Sequence, residues 1–104
     1  MTYQSVLIAL ADPTRRKIFE ALGHAERTVT ELARSQPISG PAVSQHLKVL
    51  RMANLVKVRP QGTRNLYSMK REGLEELRQY LNTFWSDALD AFGAEVERRK
   101  RKEI

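Results

Sequence analysis

The sequence predicts a mainly α fold of about five helices with one small β-hairpin. Before residue 53, apolar residues recur at helical spacing in four segments, and most of these segments begin with residue types that cap helices. Between residues 55 and 69, two short segments alternate at period two around a turn, as the strands of a hairpin do. After residue 71, a broad apolar stripe predicts one long last helix.

A length of 104 residues is enough for one domain and short for two hydrophobic cores. We therefore expect a single domain over residues 1–97, completed by self-association. The last residues contain the basic cluster Arg98-Arg99-Lys100-Arg101-Lys102, so residues 98–104 are predicted to form a frayed, solvated tail.

The chain contains no cysteine, which excludes disulfides, thiolate metal sites, cysteine nucleophiles and thiol redox sensing together. No run of about 18 apolar residues occurs, and the first residues lack the basic-then-apolar layout of a signal peptide. The sequence therefore predicts a cytoplasmic protein with no membrane partner.

Three short helices are expected in the first third of the chain. The first covers residues 3–10, where aromatic and aliphatic residues recur at helical spacing. Asp12 and Pro13 are residue types of an N-cap and a first helical position, so a second helix should follow them and stop at Gly23. Residues 28–31 have the Thr-x-x-Glu form of a capping box, which predicts a third short helix.

The fourth helix should present one apolar face and one small, polar and basic face. Ser39 is the expected N-cap, and Pro41 falls in the first turn, where a missing N–H does no harm. At about 100° per residue, the apolar face can pack on a core while the other stays exposed. The apolar face comprises Val43, Leu47, Leu50 and Asn54, and the polar face comprises Pro41, Ser44, Gln45 and Lys48.

A β-hairpin with a basic tip is expected after this helix. Residues 55–59 and 65–69 alternate at period two, and residues 60–64 form the turn between them. Two helices joined by a short turn containing Pro and Gly, followed by such a hairpin, indicate a winged helix-turn-helix.

The distribution of charge indicates a polyanionic partner more strongly than the net charge of +6 does. Between Leu32 and Arg71 there are eight Lys or Arg residues and no Asp or Glu. A surface that approaches phosphates is the simplest reason for such an exclusion. The predicted partner is double-stranded DNA.

The order and spacing of four motifs resemble the ArsR family of winged-helix repressors. The motifs lie at residues 10–16, 30–33, 44–50 and 62–67, and include Ala-Asp-Pro-Thr-Arg and Ser-Gln-His-Leu. The resemblance covers roughly residues 3 to 92. It implies a homodimer that represses transcription from an inverted-repeat operator.

The resemblance also implies that the first and last helices form the dimer interface. The apolar stripe of the last helix, which also includes Leu74 and Leu89, is wider than one small core needs. The predicted interface residues are Tyr3, Val6, Leu7, Leu10, Leu77, Leu81, Phe84, Trp85, Ala88 and Phe92.

The chain departs from metal-sensing members of the family. The third helix has no thiol where those members carry a Cys-x-Cys pair, and the last helix contains no His. Asp87 and Asp90 form a lone pair of hard ligands, which makes a weak transition-metal site. We therefore expect no metal or other cofactor, and control by the protein's own concentration, a small organic ligand or a protein partner.

The predicted DNA contacts come from the fourth helix and the hairpin. Gln45 can bond adenine, Ser44 can bond base edges or phosphate, and Pro41 and Ala42 can meet thymine methyls. Long basic side chains later in the helix and on the hairpin suit phosphates, and Arg64 could also enter a minor groove. The predicted contact residues are Pro41, Ala42, Ser44, Gln45, His46, Lys48, Arg51, Arg59, Gln61, Thr63 and Arg64.

Several alternatives remain open in the sequence. His46 suits packing or a phosphate contact better than metal ligation, and Arg15 and Arg16 suit either phosphate or a surface salt bridge. Tyr80, Phe84 and Trp85 could wall a ligand pocket at the dimer interface, although a dimer core is the more common use of aromatics at this spacing. The competing functional class is a winged-helix protein-interaction module. An enzyme is disfavoured because no Cys, clustered His or nucleotide-binding glycine loop is present.

Overall fold

The computed structural model describes residues 2–103 and the side chains of residues 2–99. It confirms the predicted fold class, with five helices and a two-stranded antiparallel sheet. Consecutive elements follow the expected order. They are α1 (Tyr3–Ala11), α2 (Pro13–Leu22), α3 (Val29–Ser35), α4 (Gly40–Met52), β1 (Val56–Gln61), β2 (Arg64–Met69) and α5 (Glu72–Glu103).

The predicted helix starts are confirmed by their capping hydrogen bonds. The Asp12 carboxylate accepts from the Arg15 N–H at 2.8 Å, and the Ser39 hydroxyl accepts from the Ala42 N–H at 3.2 Å. At α3 the capping box is complete, because the Thr28 hydroxyl accepts from the Glu31 N–H while the Glu31 carboxylate accepts from the Thr28 N–H. Local sequence signals therefore set these three boundaries.

Arg15 and Arg16 stabilise the C-terminal end of α1. Arg15 donates from Nε to the Ala9 carbonyl at 2.6 Å and from Nη2 to the Ile8 carbonyl at 3.2 Å. Arg16 donates from Nη1 to the Leu10 carbonyl at 3.0 Å. These carbonyls belong to the last turn of α1, where no amide of the helix can reach them, and cations are favourable at that end of the dipole. Neither a phosphate contact nor a salt bridge is needed to explain the two residues.

One hydrophobic core joins α1, α2, α3, α4 and the start of β1. Val6 is fully buried there, so its assignment to the dimer interface is wrong: its side chain already packs inside its own chain. Leu10 and Leu77 are half-buried against the same core. The core residues are Val6, Ala9, Ile18, Phe19, Leu22, Leu32, Val43, Leu47, Leu50, Ala53, Leu55 and Val56.

The turn after α4 positions both the hairpin and α5. Asn54 does not continue the apolar face of the helix as the periodicity suggested, because it adopts a left-handed conformation with φ of 61°. The Leu55 N–H then donates to the Leu50 carbonyl at 2.9 Å, which closes the helix. Gly73 approaches this turn so closely that its N–H donates to the Asn54 carbonyl at 3.1 Å.

The hairpin turn is tighter than the sequence predicted. The strands extend to Gln61 and Arg64, which pair with each other, and leave only Gly62 and Thr63 between them. Gly62 has a φ of 62°, a conformation that glycine adopts without cost and that two-residue hairpin turns require. On the edge of β2 that faces away from β1, Tyr67 forms a pair of backbone hydrogen bonds with Arg27 of the α2–α3 connection.

α5 packs on the core with its first turns and then extends beyond it. The Tyr80 ring stacks on the Tyr3 ring of α1 at 3.8 Å, whereas every described residue from Leu81 to Ala94 is exposed. The helix continues through Glu103, so residues 98–103 of the predicted tail have helical backbone. Glu95 pairs with Arg98 and Arg99 one turn later, which supports the helix there. Ile104 and the side chains after Arg99 lie outside the described residues.

Candidate nucleic-acid interface

α4 presents the polar face that the sequence predicted. Four of its side chains, Pro41, Ser44, Gln45 and Lys48, are exposed along the helix. The opposite side is anchored because Val43, Leu47 and Leu50 are at most 1% exposed. A rigid helix therefore holds amide, hydroxyl and ammonium groups outward, in the arrangement that can read base edges in a major groove.

Ala42 and His46 lie at the border of this face and are half-buried. The pKa of Asp12, the cap of α2, is lowered chiefly by the hydrogen bond from the Arg15 N–H, with smaller contributions from the Arg15 and His46 side chains.

Arg59 on β1 forms an ion pair with Glu26, a contact that the sequence did not predict. Its Nε and Nη2 donate to the two carboxylate oxygens of Glu26 at 2.8 and 3.0 Å. These hydrogen bonds lower the pKa of Glu26 and raise that of Arg59. The Arg59 side chain is 55% exposed, so it braces the hairpin against the α2–α3 connection while part of its charge stays accessible.

The hairpin tip carries the other predicted contacts. Gln61, Thr63 and Arg64 are all exposed. Arg64 also lines a cleft of about 170 Å³ beside Thr28 at the start of α3. The pKa of Glu31 is lowered chiefly by the Thr28 N–H, and the Arg64 charge adds a smaller effect. The hairpin tip therefore lies near the start of α3, and Arg64 adds a positive charge to those on α4.

Two lysines that were not predicted as contacts join the same basic surface. Lys57 of β1 and Lys70, just after β2, line a cleft of about 500 Å³ together with Lys48 and Arg51 of α4. Both lysines lie inside the acid-free part of the sequence, so the charge distribution was the signal that could have found them. Their proximity to α4 depends on how the hairpin packs.

The predicted dimer residues of α5 form an exposed apolar face. Exposure is 42% for Leu81, 55% for Phe84, 65% for Trp85 and 68% for Phe92, and Ala88 between them is also exposed. Leu7 of α1 is exposed, and Tyr3 is half-buried beneath the Tyr80 ring. An apolar face of this size is unusual for an isolated small protein and indicates a contact surface.

The described residues also bear on metals and membranes. Among the side chains of residues 2–99, no three His, Asp or Glu come together in a group that could hold a metal ion. Within the same part of the chain, no helix is both long and apolar enough to cross a membrane.

Comparison with known proteins identifies the class to which this architecture belongs. A family described as a helix-turn-helix domain matches residues 10–59, which run from the end of α1 into β1. The chain is 52% identical over 89 residues to the HTH-type transcriptional regulator Rv2034 of Mycobacterium tuberculosis, covering 86% of this chain and 83% of that one. It is 31% identical over 80 residues to the transcriptional repressor SdpR of Bacillus subtilis, covering 77% of this chain and 89% of that one.

A solved structure shows the same architecture in a homodimer. The homodimeric winged helix-turn-helix DNA-binding domain of Mb0332 from Mycobacterium bovis, a possible ArsR-family regulator, superposes with a TM-score of 0.65 at 27% identity. The match covers 81% of this chain and 78% of that one. The chain belongs to the ArsR family of winged-helix transcriptional regulators.

Proposed function

We propose that this protein is a homodimeric transcriptional repressor that binds an inverted-repeat DNA operator through α4. The observation that carries the proposal is the exposed polar face of α4, set in a surface whose charges are basic. Pro41, Ala42, Ser44 and Gln45 meet base edges in the major groove, while Lys48 and Arg51 bind flanking phosphates. His46, at the border of the polar face, packs against the helix or binds a phosphate.

The hairpin extends the contact beyond the major groove. Gln61, Thr63 and Arg64 at its tip face the neighbouring minor groove or its phosphates, with Arg59 behind them. Arg64→Ala should therefore reduce the salt dependence of DNA binding without changing the preferred sequence. A salt dependence equal to that of the wild type would remove the hairpin tip from the interface.

Self-association through α1 and α5 supplies the symmetry of the operator. The exposed apolar face of α5 is available to the same face of a second copy, as a two-fold interface requires. Two copies of α4 then enter successive major grooves about one helical turn apart. A bound dimer represses by occupying DNA that the transcription machinery would otherwise use.

Selection of binding sites from random duplex DNA tests this proposal. We expect an enriched palindrome, and Gln45→Ala should cost about 1 to 3 kcal/mol on the best site and relax discrimination at one base pair per half-site. Gln79→Ala, an exposed glutamine on α5, is the matched control and should leave the selected sequence unchanged. Selection without any enriched palindrome would favour a protein-interaction module instead.

Operator binding also tests whether a metal ion controls the protein. The chain has no cysteine, and the described residues hold no group of metal ligands. Addition of Zn(II), Ni(II) or As(III) should therefore leave operator affinity unchanged. Release of DNA by any of these ions would overturn the expectation that the protein is not controlled by a metal.

A second candidate mode of control is a small organic ligand at the dimer interface. An open groove of about 320 Å³ favours it, because most of its lining surface is apolar. The groove is lined by Leu74, Leu77, Arg78, Leu81, Asn82 and Trp85. A ligand bound there would change how two α5 helices pack. Displacement of the dimer from DNA by apolar compounds, with loss of the effect in Trp85→Ala, would support this mode.

A further inference from the structure

The hairpin and α4 enclose a cleft lined by four cations, here called the basic cleft: Lys48 and Arg51 of α4, Lys57 of β1 and Lys70 at the hairpin base. Its volume is about 500 Å³, and its remaining lining is Met52, Asn54, Val56 and Val58. No acidic side chain lines it. The end of α4 and the base of the hairpin therefore bring like charges to one place.

The four cations remain available to a ligand. The ion pairs formed among the side chains of residues 2–99 involve other cations. Lys57 adds to the lowering of the Glu26 pKa, but both oxygens of that carboxylate are already bonded to Arg59, which is the main cause of the shift. Three of the four residues are exposed, and Lys70 is half-buried.

Clustered like charges repel one another in the free protein, and a polyanion bound between them replaces that repulsion with attraction. The four cations are spread over two elements, α4 and the hairpin. A chain of several phosphates can contact more of them at once than a single small anion can.

We infer that the basic cleft is the channel for one sugar-phosphate strand of the DNA duplex, with Lys57 and Lys70 as phosphate ligands. The inference rests on the proposed function. When α4 occupies a major groove and the hairpin tip reaches the adjacent minor groove, one phosphodiester strand separates the two grooves. The basic cleft lies where α4 meets β1, so its cations are placed to bind the phosphates of that strand.

The salt dependence of operator binding tests the channel. Lys57→Gln and Lys70→Gln each remove one charge from the basic cleft and keep a similar side-chain length. Each should lower the slope of log K against log salt by about 0.9 per half-site and weaken specific and non-specific binding alike. Lys17→Gln is the matched control, because Lys17 is an exposed lysine on α2 outside the cleft, and its slope should equal that of the wild type.

A second measurement locates the phosphate. One phosphate at a time is replaced by an uncharged methylphosphonate along the strand between the two grooves. At the phosphate that occupies the cleft, the losses from methylphosphonate and from Lys57→Gln should be less than additive, as for two partners of one contact. At other positions, and with Lys17→Gln everywhere, the two losses should add.

The outcomes separate the inference from the proposed function. A wild-type slope in both cleft variants, with normal operator binding, would overturn the channel and leave the proposed function standing. Unchanged DNA binding together with lost affinity for polyglutamate would assign the cleft to an acidic protein segment and also overturn it. A wild-type chain that bound no duplex at all would overturn both proposals. Thermal unfolding checks that the variants fold. If Lys70→Gln does not fold, the test rests on Lys57→Gln, which is at an exposed position.

Discussion

At the residue scale, several side chains satisfy backbone groups at helix ends. Arg15 and Arg16 of α2 bond the last carbonyls of α1, and the Thr28 and Glu31 pair caps the start of α3. Buried or half-buried backbone groups left without partners are costly, so these side chains hold the helices that support α4. Their replacement should change stability before it changes DNA recognition.

Arg15→Ala should lower the free energy of unfolding by about 1 to 2 kcal/mol, because it removes charge-assisted bonds to the Ala9 and Ile8 carbonyls. Urea denaturation measures the change. Lys17→Ala, at an exposed position on the same helix, should stay within about 0.5 kcal/mol of the wild type. Unchanged stability with weakened DNA binding would instead make Arg15 a phosphate ligand.

The capping box makes stability depend on pH. The pKa of Glu31 is lowered from 4.5 in the folded protein, chiefly by the Thr28 N–H. A lowered native pKa gives stability that is present above the unfolded value and lost as pH falls through the native value. From neutral pH to below 4.5, unfolding free energy should therefore fall less steeply in Glu31→Gln than in the wild type. Parallel pH profiles would contradict this role for Glu31.

At the element scale, the position of α5 depends on the turn that follows α4. A Cβ built on Gly73 lies 2.6 Å from the Asn54 carbonyl oxygen and 2.8 Å from that of Ala53. Such distances are too short for any side chain, and both neighbours are backbone atoms that cannot rotate away. Glycine is therefore what allows α5 to begin against the end of α4, and the same turn starts β1.

Gly73→Ala should lower the free energy of unfolding by about 1 to 3 kcal/mol, since the start of α5 must move to relieve the overlap. Gly93→Ala is the matched control in the same helix, where an added Cβ meets nothing within 4 Å. That change should raise stability by up to about 1 kcal/mol, because alanine favours the helix. Equal effects in thermal unfolding would show that the contact at Gly73 is relieved without cost.

At the scale of the whole molecule, α5 makes the chain longer than its core requires. The principal extents are 71 × 25 × 22 Å, and the exposed apolar residues of α5 lie along the long direction. Alone, this face would leave large hydrophobic side chains in water. Its pairing with a second copy would also fix the spacing between two α4 helices, so assembly and DNA recognition are coupled in the proposed dimer.

Leu81→Glu should give monomers in sedimentation experiments and abolish binding to a palindromic operator, because it places a charge on the apolar face. Gln79→Glu is the matched control, at an exposed position about 160° away around the helix, and should leave the dimer intact. A dimeric Leu81→Glu protein would place the interface on another surface.

Local patterns in the sequence determined the helix starts, the glycine turn of the hairpin and the outward face of α4. Each depends on hydrogen bonds or periodicity within a few residues, as the caps at Asp12, Thr28 and Ser39 illustrate. The limits were also local: Asn54 fits the apolar period of α4, yet the helix closes before it because its backbone turns left-handed.

Only the tertiary structure decided which distant residues meet. Val6 shares a helical stripe with Leu7, and packing alone buried the first and left the second exposed. Glu26 meets Arg59 across 33 positions, and Lys57 and Lys70 join Lys48 in the basic cleft only because the hairpin folds back beside α4. The sequence alone determined that the segment from Leu32 to Arg71 would be basic, because it contains eight Lys or Arg residues and no Asp or Glu. The site that those charges form was decided by packing, because long-range contacts depend on how the elements fit together and not on the spacing within any one of them.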